Sequence, residues 1–509
     1  MITDTVKYRG RKKLTASYKP SDMNEETVKN VLLDVLPEHS QNAEQMLALK
    51  RYYLGEQDIL LKEKLVRPEI NHKIVENYAY MIVEFKTNYI HGNPLSYVKS
   101  DDANIEEVEK LNAYMFRLGK QSLDKSLGQD RYTFGTGYRV VLPKNSDVPF
   151  EIYNLNPMTT GCVYSTSFRG EKLFAFTYVN KKDYEKKEWY REISVYTNNR
   201  FFVYKTPSYK DDVPINYGHL ELELVESKGH AIGRIPIIEY ELNDHRFGLV
   251  ELTKSQQDAL NHITSNELDD LDQFVQSLLV ITNGKLSENG RKALSENGGV
   301  FEITSSNQYP SKVELLFQTG DHTQLKVLHD RIHRSMMTIA GVPIMSDKNS
   351  SGGDTGQARL VGEGWTMADE RAKSDEFTFE NGEKELLDII LSICHRKGDL
   401  GTLKNENLQV KFNRNRSDNL QTKVQALQGL MSTGIVAPDD ALRTSELFQD
   451  YIEVYQKGQT YKFEKRDFDI ETLALQQQEL NKFRNQEEEN IKQEVETDQK
   501  KQKENNGAS

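Results

Sequence analysis

Apolar residues recur at helical spacing near the N-terminus. Val28, Val31, Leu32 and Val35 step by threes and fours behind Ser21, Glu25 and Glu26. That arrangement predicts a capped helix, which Pro37 ends or kinks. A second helix is predicted over about 41–53, stopped by Gly55. A third begins after Pro68 and Asn71 and runs through Ile74, Tyr78, Met81, Ile82, Phe85 and Tyr89 to the breaker His91-Gly92-Asn93-Pro94. A fourth spans about 105–118. From 138 to 242 the period changes. Runs such as YRVVL, FEIYNL, KLFAFTYV, EISVYT, RFFVYK and IPIIEYEL are β-branched or aromatic and punctuated by Asn, Gly, Pro and Asp. They predict an antiparallel region of about seven short strands.

Beyond it, Leu252, Leu260, Ile263, Leu271, Phe274 and Leu278 mark one long helix over 249–277, about 40 Å in length. A compact α/β insert follows over 278–320, and a second helix over 322–340 runs through Leu325, Leu328, Ile332, Met336 and Ile339. Gly341-Val342-Pro343 breaks it, and MSDKNSSGGDTGQ at 345–357 is a polar Gly/Ser-rich loop. A helix of nearly forty residues is predicted from Ala358 to about Arg396, a strand over 405–412, and two or three helices over 418–458 broken at Gly434 and Pro438. The chain past Asp469 is rich in Gln, Glu and Lys and reads as a solvated tail. The expected class is α+β, mostly helical and multi-domain.

Charge narrows the functional classes. With 66 Lys and Arg against 78 Asp and Glu, the 509-residue chain carries −12, which excludes a basic protein that coats nucleic acid. Two cysteines, Cys162 and Cys394, are too few for a disulfide framework and suit a reducing compartment. No stretch has the length and apolarity of a membrane helix, and the N-terminus lacks a signal-peptide core.

Enzyme constellations are sparse. GGDTGQA lacks the Lys-Ser/Thr ending of a phosphate-binding loop. His329 and His333 stand at i, i+4, the spacing of two ligands on one helix face, but no third ligand is evident in the sequence. Glu267, Asp269, Asp270 and Asp272 form an acidic cluster able in principle to hold Mg²⁺, although adjacent helical positions do not share a face. No cofactor site is expected. More telling is a contrast between the two helices that flank the insert. The first carries Asp258, Glu267, Asp269, Asp270 and Asp272, the second Lys326, Arg331 and Arg334. Opposite charge suits antiparallel packing, within or between subunits.

The order of parts resembles the portal proteins of tailed bacteriophages, in the branch typified by phages of Gram-positive hosts. RYYLGEQDIL and NHKIVENYAYMIVEFKTNYIHGNPLSY are similar to the family's helix ending in a Gly-Asn-Pro turn. RYTFGTGYRVVL resembles its helix–Gly–strand lead into the β region, and SNELDDLDQFVQSLLVITNG its stem helix running into the clip. NSSGGDTGQARLVGEGW resembles the tunnel loop and the helix after it, and VKFNRNRSDNLQTKVQALQGL the stretch leading into the crown. One departure lies at the loop exit, where Gly356-Gln357-Ala358-Arg359-Leu360 replaces the family's frequent Ser-Gly followed by Ala-Leu-Lys.

The resemblance implies a wing over 1–248, stem helices over 249–277 and 321–341, and a clip over 278–320. It further implies a tunnel loop over 342–357, a second wing part over 358–417, a crown over 418–460 and a polar tail over 461–509. It implies a non-enzymatic ring of about twelve copies at one capsid vertex, assembled in the host cytoplasm and carried in the virion. Double-stranded DNA passes through that ring. The terminase large subunit docks on the clip, head-completion or adaptor proteins replace it, and scaffold and major capsid protein meet the wing. Within the channel, Lys348, Asn349, Ser350 and Ser351 of the tunnel loop would touch phosphates, and Asp258, Glu267, Asp269, Asp270 and Asp272 would form an acidic face. Lys326, Arg331 and Arg334 would pair stems within or between subunits. Two other classes stay open: a metal-dependent DNA-processing enzyme centred on the Asp269 cluster, and a capsid adaptor or scaffold that never contacts DNA.

Overall fold

The computed structural model describes residues 10–99, 105–208, 220–275, 278–282, 284–286, 303–305, 312–316, 322–344, 364–401, 403–414, 420–432, 434–445, 447, 454–455, 457–462 and 482. The fold is α+β, as expected. Strand β1 (Leu14–Ala16) precedes helix α1 (Glu25–Tyr53), whose first turn is capped by the Asn24 side chain accepting from the Thr27 N–H. Helix α2 (Tyr78–His91) leads to strand β2 (Ser96–Lys99), then to α3 (Ile105–Arg117) and α4 (Lys120–Phe134). Gly119, at φ +65°, separates the last two helices.

Strands β3 (Thr136–Pro143), β4 (Phe150–Leu155), β5 (Thr160–Ser165), β6 (Lys172–Asp183), β7 (Glu188–Tyr196), β8 (Arg200–Lys205), β9 (Glu223–Gly229) and β10 (Ile237–Glu241) make the β region. Helix α5 (Leu249–Val275) follows, then β11 (Leu278–Thr282), β12 (Gly284–Leu286), β13 (Ile303–Ser305) and β14 (Lys312–Leu316). Helices α6 (His322–Ala340) and α7 (Trp365–Arg396), strand β15 (Leu408–Lys411), and helices α8 (Leu420–Ser432) and α9 (Pro438–Ser445) complete the order. The chain divides into two compact units between 415 and 416; in the second, α8 packs on α9.

The β region forms two sheets. One has the order β1-β5-β6-β7-β8-β9, antiparallel except for the parallel β1–β5 pair; the other has the order β10-β3-β4. The apolar stripe of α1 covers the larger sheet, with Val28, Val31, Leu32, Val35 and Leu36 against Val163, Phe174, Phe176, Ile193, Val195 and Phe202. This packing corrects the predicted end at Pro37, since α1 continues through it to Tyr53. A mid-helix proline costs about 3 kcal/mol, and burying several large aliphatic side chains at about 1.5–3 kcal/mol each outweighs that cost.

The smaller sheet packs on α7 through Ile238, Tyr240, Phe379, Leu386 and Ile390. Inside that layer sits a fully internal ion network. Lys120 pairs with Asp124 at 2.8 Å and Glu383 at 3.0 Å, and Arg139 with the same two carboxylates at 2.8 and 3.3 Å. The hydroxyls of Tyr97 and Tyr240 donate to Glu383 at 2.6 and 2.9 Å. Two cations balance two anions, so this buried network is neutral and ties α4, β3 and α7 together.

A second correction concerns the third predicted helix. Its start near Asn71 is wrong: 71–77 is not helical, and α2 begins only at Tyr78. Side chains of α5 hold that segment out of the helix.

Candidate functional site

Helix α5 and helix α6 form an antiparallel hairpin, and residues 58–77 lie along it as a strap. Along one edge of α5 every fourth residue is polar and buried: Thr253, Gln257, Asn261, Ser265 and Asp269 are each at most 1% exposed. Four of them receive backbone N–H groups from the strap and the first turn of α2. Asp269 accepts from His72 N at 2.7 Å, Ser265 from Ile74 N at 3.0 Å, Asn261 from Glu76 N at 2.9 Å, and Gln257 from Ala79 N at 2.9 Å. The match is geometric. Four residues of helix rise about 6 Å, and two residues of extended chain rise about 6.6 Å. Alternate N–H groups of the strap therefore meet successive turns of the helix, and a segment with no sheet partner has its donors satisfied.

Asp269 anchors the strap. Its carboxylate lies 2.8 Å from Lys62 Nζ, 2.8 Å from Lys64 Nζ and 2.9 Å from His72 Nδ1. Burial alone would raise this carboxyl. The hydrogen bonds from Lys62, Lys64 and His72 outweigh it and hold the group well below the usual carboxylate range. Asp269 is thus an internal counter-ion, which corrects its expected place on an exposed acidic face.

The other four acids do not share a face either. At about 100° per residue, Asp258, Asp269 and Asp272 fall within roughly 60° of one another on the strap side, whereas Asp270 and Glu267 point away from it. Asp258 accepts from the Tyr52 hydroxyl at 2.7 Å and from Lys254 at 2.9 Å. Asp272 is 3.2 Å from His72 Nε2 and about half-exposed. Asp270 is exposed and Glu267 half-buried.

On α6, Lys326, Arg331 and Arg334 are all exposed and form no ion pair among the described residues. The expected pairing with α5 is therefore not made within the subunit there. His329 meets a carboxylate the sequence did not show, Glu76, at 3.4 Å, and the His333 ring packs on Tyr78 at 4.9 Å between centroids. Burial lowers the His333 pKa, which favours the neutral ring. Among the described residues no group of three or more His, Cys, Asp or Glu side chains is arranged to hold a metal ion. Asp269, which a metal-dependent nuclease would need free, already faces two ammonium groups.

Cys162 and Cys394 are both buried free thiols; burial pushes the Cys394 thiol up to about 12 and Cys162 higher still, so neither is poised as a nucleophile. The loop residues Lys348, Asn349, Ser350 and Ser351 lie outside the described residues, as does most of the clip. Among the described residues, no helix is long and apolar enough to cross a membrane.

The strap with Lys62, Lys64 and His72 was missed by sequence reasoning. Its signal was present as the i, i+4 run Thr253, Gln257, Asn261, Ser265, Asp269. A polar row of that kind along a helix otherwise full of leucines needs a polar partner.

Comparison with known proteins defines the class as phage portal protein. The family model described as phage portal protein, SPP1 Gp6-like, matches residues 33–450, and the chain belongs to that family. It is similar to the portal protein of Bacillus phage SPP1, with 22% identity over 441 residues covering 82% of this chain and 83% of the relative. Among solved structures it is similar to a chain in the neck of an empty gene transfer agent particle. That match has 12% identity and a TM-score of 0.43, and covers 73% of this chain and 90% of the other. It is also similar to a chain in the virion of a native gene transfer agent particle, at 10% identity and a TM-score of 0.41, over 79% and 93%. As a member of the portal family the protein is a structural part of the virion, a ring at the capsid vertex, and not an enzyme. The DNA-processing and adaptor readings are not favoured.

Proposed function

We propose that about twelve copies form the ring and that double-stranded DNA passes through it during packaging and ejection. In this reading α5 and α6 are the stem, 278–320 the clip that receives the terminase large subunit and later head-completion or adaptor proteins, and 342–357 the tunnel loop. The wing spans 1–248 and 358–417 and meets scaffold and major capsid protein, and 418–460 is the crown. Assembly takes place in the host cytoplasm.

The observation that carries the reading is the uneven placing of the acids around α5. Asp258, Asp269 and Asp272 are turned to the strap, while Asp270 and Glu267 point away from it. A conduit must touch DNA without gripping it. Each phosphate that a cation neutralises adds counterion-release affinity, and an acidic wall adds none. Sparse contacts from Lys348, Asn349, Ser350 and Ser351 would then guide the backbone transiently.

Negative-stain images of the purified protein test the ring directly. A closed ring with a hole wide enough for a duplex, roughly 20 Å or more, supports the reading; particles with no hole refute it. In a packaging assay, Lys348→Glu should alter DNA packaging or retention while leaving ring assembly intact. Normal yield and retention in that variant would remove the loop from the DNA path.

A further inference from the structure

The strap turns Lys62 and Lys64 inward and three aliphatic side chains outward. Lys62 and Lys64 reach Asp269, while Leu61, Leu65 and Val66 between and beside them are 81%, 101% and 79% exposed. Glu63 and Glu69 are exposed next to them. Single exposed leucines are ordinary, but three bare aliphatic groups within six positions of an ordered segment form a patch that water disfavours.

A second exposed apolar patch lies on α6. Val327 is 63% and Leu328 44% exposed, and with Thr323, Gln324 and Arg331 they line a shallow groove of about 270 Å³. Exposed Lys326, Arg331 and Arg334 surround it. The strap patch is apolar with Glu63 and Glu69 exposed against a half-buried Arg67, and the α6 patch is apolar with Lys326, Arg331 and Arg334 exposed against a single exposed acid, Asp330.

The two patches also stand at the same height along the hairpin. Lys62 bonds to Asn266 and Asp269, which places the strap patch beside that part of α5. Glu76 accepts from Thr264 and lies 3.4 Å from His329, so His329 is level with about residue 264. Because α6 runs antiparallel to α5, Val327 and Leu328 come one half-turn nearer the insert, beside the residues that hold Lys62.

We propose that these patches are the two halves of one contact, in which the strap of one subunit seats on α6 of the next copy in the ring. The inference rests on the ring assembly of the family. A cyclic ring needs two different faces that complement each other, and rotation about an axis along the hairpin carries one patch to the height of the other. Leu61, Leu65 and Val66 fill the groove beside Val327 and Leu328, and Glu63 and Glu69 meet Arg331, Arg334 and Lys326. Lys62 and Lys64, anchored on Asp269, order the patch before the neighbour arrives, so association costs little further ordering.

Cross-linking in the full-length protein tests the contact. Both native cysteines are buried, so the pair Leu65→Cys with Val327→Cys presents the accessible thiols. With a short bismaleimide the double variant should give a covalent ladder up to ring size, and neither single variant should. Rings in negative stain that yield only monomer bands from the double variant would overturn the contact while leaving the ring standing. A wild-type protein that forms no ring would overturn the ring reading and the contact with it.

Should the cysteine pair impair assembly, charge reversal decides. Glu63→Arg or Arg331→Glu alone should raise the concentration needed for assembly about tenfold, and the double reversal should restore it to within about threefold. Additive losses in the double reversal would overturn the pairing.

Discussion

Replacing Asp269 with asparagine removes a charge and almost no volume. The amide oxygen can still accept from the His72 N–H, so the backbone rung survives. The two ion pairs do not. Lys62 and Lys64, with side chains 9% and 24% exposed, would face each other across a neutral amide. Breaking a buried pair by removing one partner costs about 3–5 kcal/mol, and the partial access of Lys64 to water lowers that toward about 2–3 kcal/mol. The loss is local, because the ladder positions Gln257, Asn261 and Ser265 remain.

Native-state hydrogen exchange of 62–77 is the matching assay, since it reads local opening rather than global unfolding. The expected acceleration is roughly 30- to 150-fold at the hydrogen-bonded amides nearest the anchor, Lys62, Ile70 and His72, with Ile74, Glu76 and α5 little changed. The pH dependence follows from the same carboxyl. Its folded pKa is depressed, so its stabilisation is present in full above the unfolded value of about 3.9 and is lost as pH falls below that, toward the folded value. Strap protection owed to Asp269 should therefore stay flat from neutral pH down to about pH 5, fall in stronger acid, and show no such fall in Asp269→Asn. Acceleration under about threefold, or an unchanged acid profile, would refute the anchoring role.

Glu383→Ala should cost about 3–5 kcal/mol in urea unfolding, because Lys120 and Arg139 keep only Asp124 between them; a loss under about 1 kcal/mol would mean that water reaches the network. Gly135→Ala should fold poorly, since at φ +84° its Cβ would collide with the Arg246 carbonyl, and soluble wild-type-like yield would contradict the turn geometry. Glu267→Lys with Asp270→Lys should raise the affinity of the ring for duplex DNA and steepen its salt dependence; unchanged filter binding across salt concentrations would place those residues outside the DNA path.

The long helices were legible because their apolar residues keep the 3.6 period for many turns. The helix predicted over 249–277 runs Leu249–Val275, and the one over 322–340 runs His322–Ala340. The strap was not legible for the same reason. Ile74 happens to continue the spacing of α2 back from Tyr78, and what keeps 71–77 out of the helix is a row of side chains nearly two hundred residues away. Pro37 misled in the opposite sense, because the gain from packing α1 on the larger sheet is invisible in the local sequence. The acidic cluster at 267–272 was visible as composition. Which acids face outward depended on Lys62, Lys64 and His72, and nothing local to α5 names them.

That distribution changes what the net charge of −12 can mean. Charge on the whole ring says little about the path of DNA, since acids inside Asp269-like pockets or on the outer rim are neutralised or screened before a duplex meets them. In the proposed conduit two groups per subunit, Glu267 and Asp270, are candidates to line the wall, which over about twelve copies makes about 24 carboxylates. A duplex of about 20 Å diameter in a hole at most roughly 40 Å wide leaves a gap of no more than about 10 Å, comparable to the Debye length of about 8 Å at physiological ionic strength. The wall would then repel the backbone enough to keep the duplex centred and prevent adhesion, and in 1 M salt, where the Debye length is about 3 Å, that centring should vanish. Low friction in this reading comes from the few acids that α5 turns away from the strap, with Asp269 and Asp272 turned toward it.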